Sequence, residues 1–127
     1  MTDNKKPWKM DRHTIAVDFD GTLCTYTTWK GPGGLGDPIV PMVERVKRWL
    51  SEGKKVKIFT ARISLDTKEE LKEAIDAIEA WCLEHLGQVL PITNVKTMDI
   101  EIFWDDKAIP VIENTGEIGY EDRLHFL

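Results

Sequence analysis

The chain has 127 residues, of which 42% are hydrophobic and 31% are charged, and its formal net charge is −5. This length and composition are typical of one globular domain with its own core, so we expect residues 1–127 to form a single domain. The acidic balance argues against sequence-independent nucleic-acid binding, which requires basic side chains that neutralise phosphates.

Cysteine usage and hydropathy bear on where the protein works. Cys24 and Cys82 stand far apart and outside any Cys-x-x-Cys pair, so neither a zinc site nor a redox motif is predicted. Two thiols fit a reducing compartment. Residues 1–7 lack the apolar segment of a signal peptide, and no apolar run approaches the ~20 residues of a membrane helix. We therefore predict a cytoplasmic protein that makes no membrane contact.

The first half of the chain predicts a strand, a long connection, a helix and a second strand. After a flexible lead-in over residues 1–12, an apolar run predicts a buried strand at about 14–19. Glycine-rich residues 21–38 are expected to form a flap near the functional site, because long connections in compact domains tend to be functional. A helix is then predicted over about 40–52 and a strand over about 55–60.

The second half predicts one long helix and three more strands. Asp66 and Glu69 stand at capping-box spacing, and Gly87 marks the end of an amphipathic helix that carries Cys82 on its apolar face. Strands are predicted at about 89–95, 100–104 and 109–112, while the C-terminal tail, 115–127, is not assigned. Strands that alternate with helices predict an α/β fold with a parallel sheet.

Ligands of parallel α/β sheets bind beyond the carboxyl ends of the strands, so polar residues at those ends are candidate site residues. The sequence places four carboxylates, one hydroxyl and one ammonium group there: Asp18, Asp20, Asp105, Asp106, Thr60 and Lys96. Carboxylates held close together repel, and a bound cation offsets the repulsion. Because Mg²⁺ prefers hard oxygen ligands, this set predicts a magnesium-dependent phosphoryl-transfer site.

The same residues resemble the four motifs of the haloacid dehalogenase superfamily of hydrolases, in the order of that family. The motifs are Asp18-Phe19-Asp20-Gly21-Thr22, Thr60, Lys96 and Asp105-Asp106. The resemblance implies a Rossmann-like three-layer sandwich with a central, mostly parallel sheet. It also implies a phosphatase that hydrolyses a phosphomonoester through an aspartyl-phosphate intermediate.

The resemblance further implies a role for each site residue. Asp18 would be the nucleophile and Asp20 the general acid/base. The phosphoryl group would be bound by Thr60, Ala61 and Lys96. The Mg²⁺ ligands would be Asp18, Asp20, Asp105 and Asp106. Lys107 is an alternative to Lys96, which we prefer because the family places its lysine before the final acidic pair.

The connections leave no room for a cap domain, so the chain resembles the small capless class of the superfamily. Residues 21–38 are too few for a helical cap, and residues 61–95 are used by a helix and a strand. The site would then be closed by the flap or by a neighbouring subunit. A homo-oligomer stays open, because Phe126 and Leu127 fit an interface or a core edge equally.

Two other functions and the substrate class also remain open. A receiver-like signalling switch uses similar residues but in the reverse order, and a catalytically silent binding protein would not need the complete motif set. Tyr26, Trp29 and Arg62 are expected near the mouth of the site, where they would stack on or pair with a base. A nucleotide or a nucleic-acid end is therefore one candidate for the phosphorylated substrate.

Overall fold

The computed structural model describes residues 13–119, so the predicted lead-in and residues 120–127 of the tail lie outside the described part. The elements are β1 (Thr14–Asp18), α1 (Val40–Ser51), β2 (Lys55–Phe59), α2 (Lys68–Leu86), β3 (Ile92–Thr93) and β4 (Ile100–Trp104). Across these residues, neither helix combines the length and the apolar composition needed to cross a bilayer.

The four strands form one parallel sheet in the order β3-β2-β1-β4. In the centre, Val17 of β1 is aligned with Ile58 of β2 on one side and with Trp104 of β4 on the other. From β1 the chain proceeds outward to β2 and β3, and it then crosses back to place β4 on the far side of β1. The direction of strand order therefore reverses between β1 and β4, which is where α/β sheets bind ligands.

Both helices pack on the same face of the sheet. Side chains of β1 alternate between the two faces. Ile15 and Val17 join a buried core with Val46 and Trp49 of α1 and Ile78 of α2. Helix α2 also buries Cys82, as predicted from its position on the apolar face.

The opposite face of the sheet carries a different set of side chains. Asp18 is aligned with Phe59, whose ring lies 5.1 Å from that of Phe103. Within residues 13–119 no helix covers this face, so the outer helical layer that the structure describes is on one side only. The predicted fold class is confirmed as a small parallel α/β, Rossmann-like fold without a cap domain; of the three predicted layers, the described residues form the sheet and one helical layer.

Three local predictions differ from the structure. Helix α2 is capped by Thr67 rather than Asp66, because the Thr67 hydroxyl accepts the Glu70 backbone N–H at 3.1 Å. Thr67 and Glu70 thus form the capping pair one residue later than predicted. Strand β3 spans only two residues, because Pro91 before it has no N–H to donate to the ladder and the Val95 N–H after it donates to the Thr93 hydroxyl instead.

The predicted fifth strand over 109–112 is wrong. Val111 pairs with Ile118 in an isolated antiparallel bridge rather than in a strand, and the segment turns at Asn114, which has a positive φ of 66°. The Ile112 N–H donates to the Glu117 carbonyl at 2.8 Å across this turn. The described part of the tail, residues 115–119, is therefore the returning arm of a tight turn.

Asp99 directly precedes β4 and forms an ion pair with Lys57 of β2. From this contact we predict a pH-dependent contribution to stability. Hydrogen bonds from Thr97 and from Lys57, the latter at 2.9 Å, hold the pKa of the Asp99 carboxyl well below its usual range. A carboxyl whose pKa is lowered by folding stabilises the protein above its unfolded-state pKa and loses that contribution as the pH falls. We expect Asp99→Asn to lower the melting temperature by a few degrees at pH 7.

The same substitution should have a smaller effect near pH 3, where the carboxyl is largely protonated in the unfolded chain but still ionised in the native state, and the rest of the effect should disappear only at still lower pH. Thermal melts of the two proteins at both pH values measure this difference. Asp76→Asn is the matched control, because Asp76 pairs with Lys72 at an exposed position on α2, where an ion pair contributes little. An equal effect of Asp99→Asn at both pH values would contradict the prediction.

Candidate active site

Three carboxylates converge where β1 and β4 end. Asp18 is the last residue of β1, and Asp105 and Asp106 directly follow β4. One oxygen from each carboxylate lies within 4.8 Å of the others. The Lys107 backbone N–H donates to Asp105 Oδ1 at 2.8 Å, which orients that carboxylate. The predicted meeting of the strand ends is therefore present.

The Gly21-Thr22 pair makes this approach possible. Gly21 has a φ of +85°, and a Cβ at this position would lie 2.7 Å from Asp106 Oδ2. Only glycine allows both the left-handed turn and the close approach of Asp106. The Thr22 hydroxyl then lies 3.2 Å from Asp18 Oδ2 and 3.4 Å from Asp106 Oδ1. Its single proton is therefore shared between these two acceptor oxygens.

The crowding of negative charge changes the acidity of Asp18. Partial burial, together with a hydrogen bond to Asp106 and repulsion from Asp105 and Asp106, raises the pKa of Asp18 to about 7. Raising the pKa means that ionised Asp18 is unfavourable in this environment unless a positive charge lies nearby. The cluster therefore favours a bound cation or a proton at neutral pH.

Asp20 does not join this cluster, which differs from its predicted role as a metal ligand. Asp20 Oδ1 accepts from Arg62 Nη2 at 2.7 Å, and Asp20 Oδ2 accepts from Arg62 Nε at 2.9 Å. The Cys24 thiol lies 3.7 Å from Oδ1 and donates to it. Burial raises the pKa of Cys24 to about 11, so this thiol stays protonated at neutral pH.

A cavity of about 600 Å³ joins the acidic cluster to the strand ends. Asp18 and Asp20 line it together with Thr60 and Ala61, two of the three residues predicted to bind the phosphoryl group. The buried Thr60 hydroxyl accepts the Arg62 backbone N–H at 3.0 Å, so its own proton is available to a ligand. A second cavity, of about 430 Å³ beside Lys57 and Asp99, contains none of the predicted site residues.

The two candidate phosphate-binding lysines occupy different positions relative to the cavity. Lys107 lines the cavity with the acidic cluster. Lys96, which the sequence favoured, is not among the lining residues, and its Nζ lies 5.3 Å from the centre of the Phe103 ring. Thus the geometry brings Lys107, not Lys96, to the candidate site.

The flap lies against the same cavity. Tyr26 and Trp29 line it, and each is 47% exposed. Arg62 also lines the cavity but is buried and paired with Asp20, so it is not free to pair with a nucleotide as predicted. Sequence reasoning missed this ion pair; the available signal was an arginine two residues after a strand-end threonine.

Comparisons with known proteins bear on the fold. No protein-family model matches the chain, and no curated protein matches it. The solved structure of a conserved protein from Bacteroides thetaiotaomicron is similar, with 26% sequence identity and a TM-score of 0.50. The match covers 75% of this chain and 76% of that chain. This similarity supports the α/β fold and does not bear on the reaction.

Proposed function

We propose that the protein is a Mg²⁺-dependent phosphatase that hydrolyses phosphomonoesters through an aspartyl-phosphate on Asp18. The observation that carries this proposal is the placement of Asp18 within one cavity beside two further carboxylates and the Thr60 hydroxyl. A hydroxyl, a lysine and a carboxylate cluster at one sheet edge suit the binding and transfer of a phosphoryl group.

The donor set fits a magnesium ion. Asp18, Asp105 and Asp106 offer carboxylate oxygens within 4.8 Å of one another, and hard oxygen ligands are those that Mg²⁺ prefers. When bound, the ion would offset negative charge on the phosphoryl group and on the cluster. The raised pKa of Asp18 supports this interpretation, because burial, together with repulsion from Asp105 and Asp106, disfavours a negative charge there that no cation offsets.

The two steps of the reaction are assigned to Asp18 and Asp20. An Asp18 carboxylate oxygen attacks phosphorus, the ester P–O bond breaks, and the leaving oxygen takes a proton from Asp20. Water then attacks the phosphoryl-Asp18 group while Asp20 accepts a proton from that water. Inorganic phosphate and the free Asp18 carboxylate result, so Asp20 returns to its protonated state.

The pairing of Asp20 with Arg62 is compatible with this role. A carboxylate has about four lone-pair sites. Among the described residues, Asp20 Oδ1 accepts from Arg62 and from Cys24, whereas Oδ2 accepts only from Arg62 Nε. We therefore assign proton exchange to Oδ2, which retains an unoccupied lone-pair site.

The substrate proposed for this site is a phosphorylated nucleotide or a nucleic-acid end. Tyr26 and Trp29 present half-exposed rings to the cavity that holds Asp18, and bases stack readily on such rings. Since the flap and not a cap domain bounds the cavity, a bulky leaving group has room beyond these rings.

The experiment that tests the function is hydrolysis of an aryl phosphate with Mg²⁺ and with a chelator. We expect turnover with Mg²⁺ and its loss on chelation. A panel of nucleotides, phosphorylated metabolites and 3′- or 5′-phosphorylated oligonucleotides then ranks substrates by kcat/KM. A phosphoprotein that forms but does not turn over would favour the switch, and inactivity over the whole panel would favour a binding protein.

A further inference from the structure

Arg62 is a buried arginine whose side-chain donors are all engaged. The residue is only 3% exposed. A guanidinium has five N–H donors, and five acceptors surround this one. Two are the oxygens of Asp20, and the other three are flap carbonyls: Gly31 at 2.9 Å, Pro32 at 3.3 Å and Gly34 at 3.4 Å.

An aromatic ring of the flap also contacts this group. The Arg62 guanidinium carbon lies 4.8 Å from the centre of the Trp29 ring, which is a cation–π contact. Helix α2 holds the flap as well, since Glu73 accepts the Gly33 N–H at 3.2 Å and Trp81 donates to the Gly36 carbonyl at 3.0 Å. Within the described residues, Arg62 is the side chain from outside the flap that bonds both to flap carbonyls and to Asp20.

We propose that Arg62 is a positioning residue that couples closure of the flap to the orientation of Asp20. The part of this proposal that concerns Asp20 rests on the phosphatase function proposed above. Movement of residues 29–34 away from the cavity removes three acceptors and one ring from a buried guanidinium. Unpaired buried donors are costly, so Arg62 must shift with the flap and change its bonds to Asp20.

The coupling gives the flap a role in both substrate binding and proton transfer. With the flap in place, Arg62 fixes Asp20 so that Oδ2 retains its unoccupied lone-pair site inside the cavity. Trp29 is held on the same guanidinium, so the ring expected to contact the leaving group and the carboxylate expected to protonate it are set by one side chain. Lysine cannot reproduce this, because it lacks the planar fork of donors.

The first test measures the flap directly and needs no catalysis. Lys30 is an exposed flap residue, so limited trypsin digestion followed by mass spectrometry reports cleavage between Lys30 and Gly31. We expect Arg62→Gln to accelerate this cleavage by at least about tenfold and Arg62→Lys to accelerate it less, because opening of the flap becomes more frequent. Arg62→Lys keeps a positive charge beside Asp20 and serves should the glutamine variant fail to fold.

The second test separates positioning from general damage. An alkyl phosphate has a poor leaving group that needs a proton from Asp20, whereas an aryl phosphate with a good leaving group does not. We expect Arg62→Lys to lower kcat for the alkyl ester by roughly tenfold more than for the aryl ester. Arg45→Lys is the matched control, since Arg45 makes a similar cation–π contact with Trp104 at 5.0 Å but does not touch the flap.

The outcomes distinguish this proposal from the proposed function. Unchanged Lys30 cleavage in folded Arg62 variants, or an equal loss of kcat on both esters, would overturn the coupling. Faster cleavage at Lys30 with a selective loss on the alkyl ester would establish it. Wild-type inactivity towards both esters would overturn the phosphatase and with it the role of Asp20, while the trypsin result would still decide whether Arg62 holds the flap.

Discussion

Asp18→Asn is expected to lower kcat for an aryl phosphate by at least about 10³-fold, because the amide cannot form the acyl-phosphate bond to phosphorus. Asp18 is the central carboxylate of the site, at the end of β1 and within 4.8 Å of Asp105 and Asp106. Acid quenching during turnover should trap a phosphoprotein in the wild type and none in the variant. The quenched protein is analysed by mass spectrometry, which also locates the phosphoryl group.

The loss of activity should not come with a loss of stability. Folding raises the pKa of Asp18 to about 7, so the metal-free native state loses stability as the pH rises from about 4 to 7, because the carboxyl ionises in the unfolded chain before it ionises in the native state. Asparagine carries no charge, so the variant should melt no lower than the wild type at pH 8. Asp76→Asn on α2 is the control for a changed aspartate far from the cluster. Turnover that survives Asp18→Asn would exclude the covalent mechanism.

Mg²⁺ binding is expected to release a proton and to strengthen with pH. With a pKa of about 7, Asp18 is mostly protonated at pH 6 and mostly ionised at pH 8. Since a carboxylate ligand must be ionised, the Mg²⁺ affinity should be roughly tenfold weaker at pH 6 than at pH 8. Isothermal titration calorimetry at both pH values, in buffers that differ in ionisation enthalpy, measures the affinity and the proton release.

Thermal melts give an independent measurement of the same site. Millimolar Mg²⁺ should raise the melting temperature of the wild type at pH 8, because a ligand that binds only the native state stabilises it. Asp106→Asn should weaken binding by at least about tenfold. Asp99→Asn, which lies outside the cluster, should leave the Mg²⁺ affinity unchanged. Mg²⁺ affinity that does not change between pH 6 and pH 8 would contradict a site in which Asp18 must lose a proton near pH 7 to bind the ion.

The candidate site was largely predictable because it lies on regular elements. Strand ends of a parallel sheet meet at one edge, so residues that follow apolar runs come together whatever path the connections take. Asp18, Thr60, Asp105 and Asp106 were found in this way, and the structure brings all four to the same edge of the sheet. Gly21 belongs to the same motif, and the structure shows that it allows the close approach of Asp106.

The contacts of the irregular segments were not predictable. Arg62 is enclosed because the flap folds back and places three carbonyls around the guanidinium that pairs with Asp20. Lys107 lines the cavity because of the turn that follows β4, whereas motif order alone favoured Lys96. No periodicity records such contacts, since each depends on the path of a loop.

By itself, the sequence determined the strands and helices whose apolar residues follow a clear period: β1, α1, β2, α2 and β4. It also determined which carboxylates stand at the ends of these strands. Only the tertiary structure decided the short β3, the turn in place of a fifth strand and the pairing of Asp20 with Arg62. The physical reason is that hydrophobic periodicity encodes which face of an element is buried, whereas a buried ion pair depends on three-dimensional packing between distant segments.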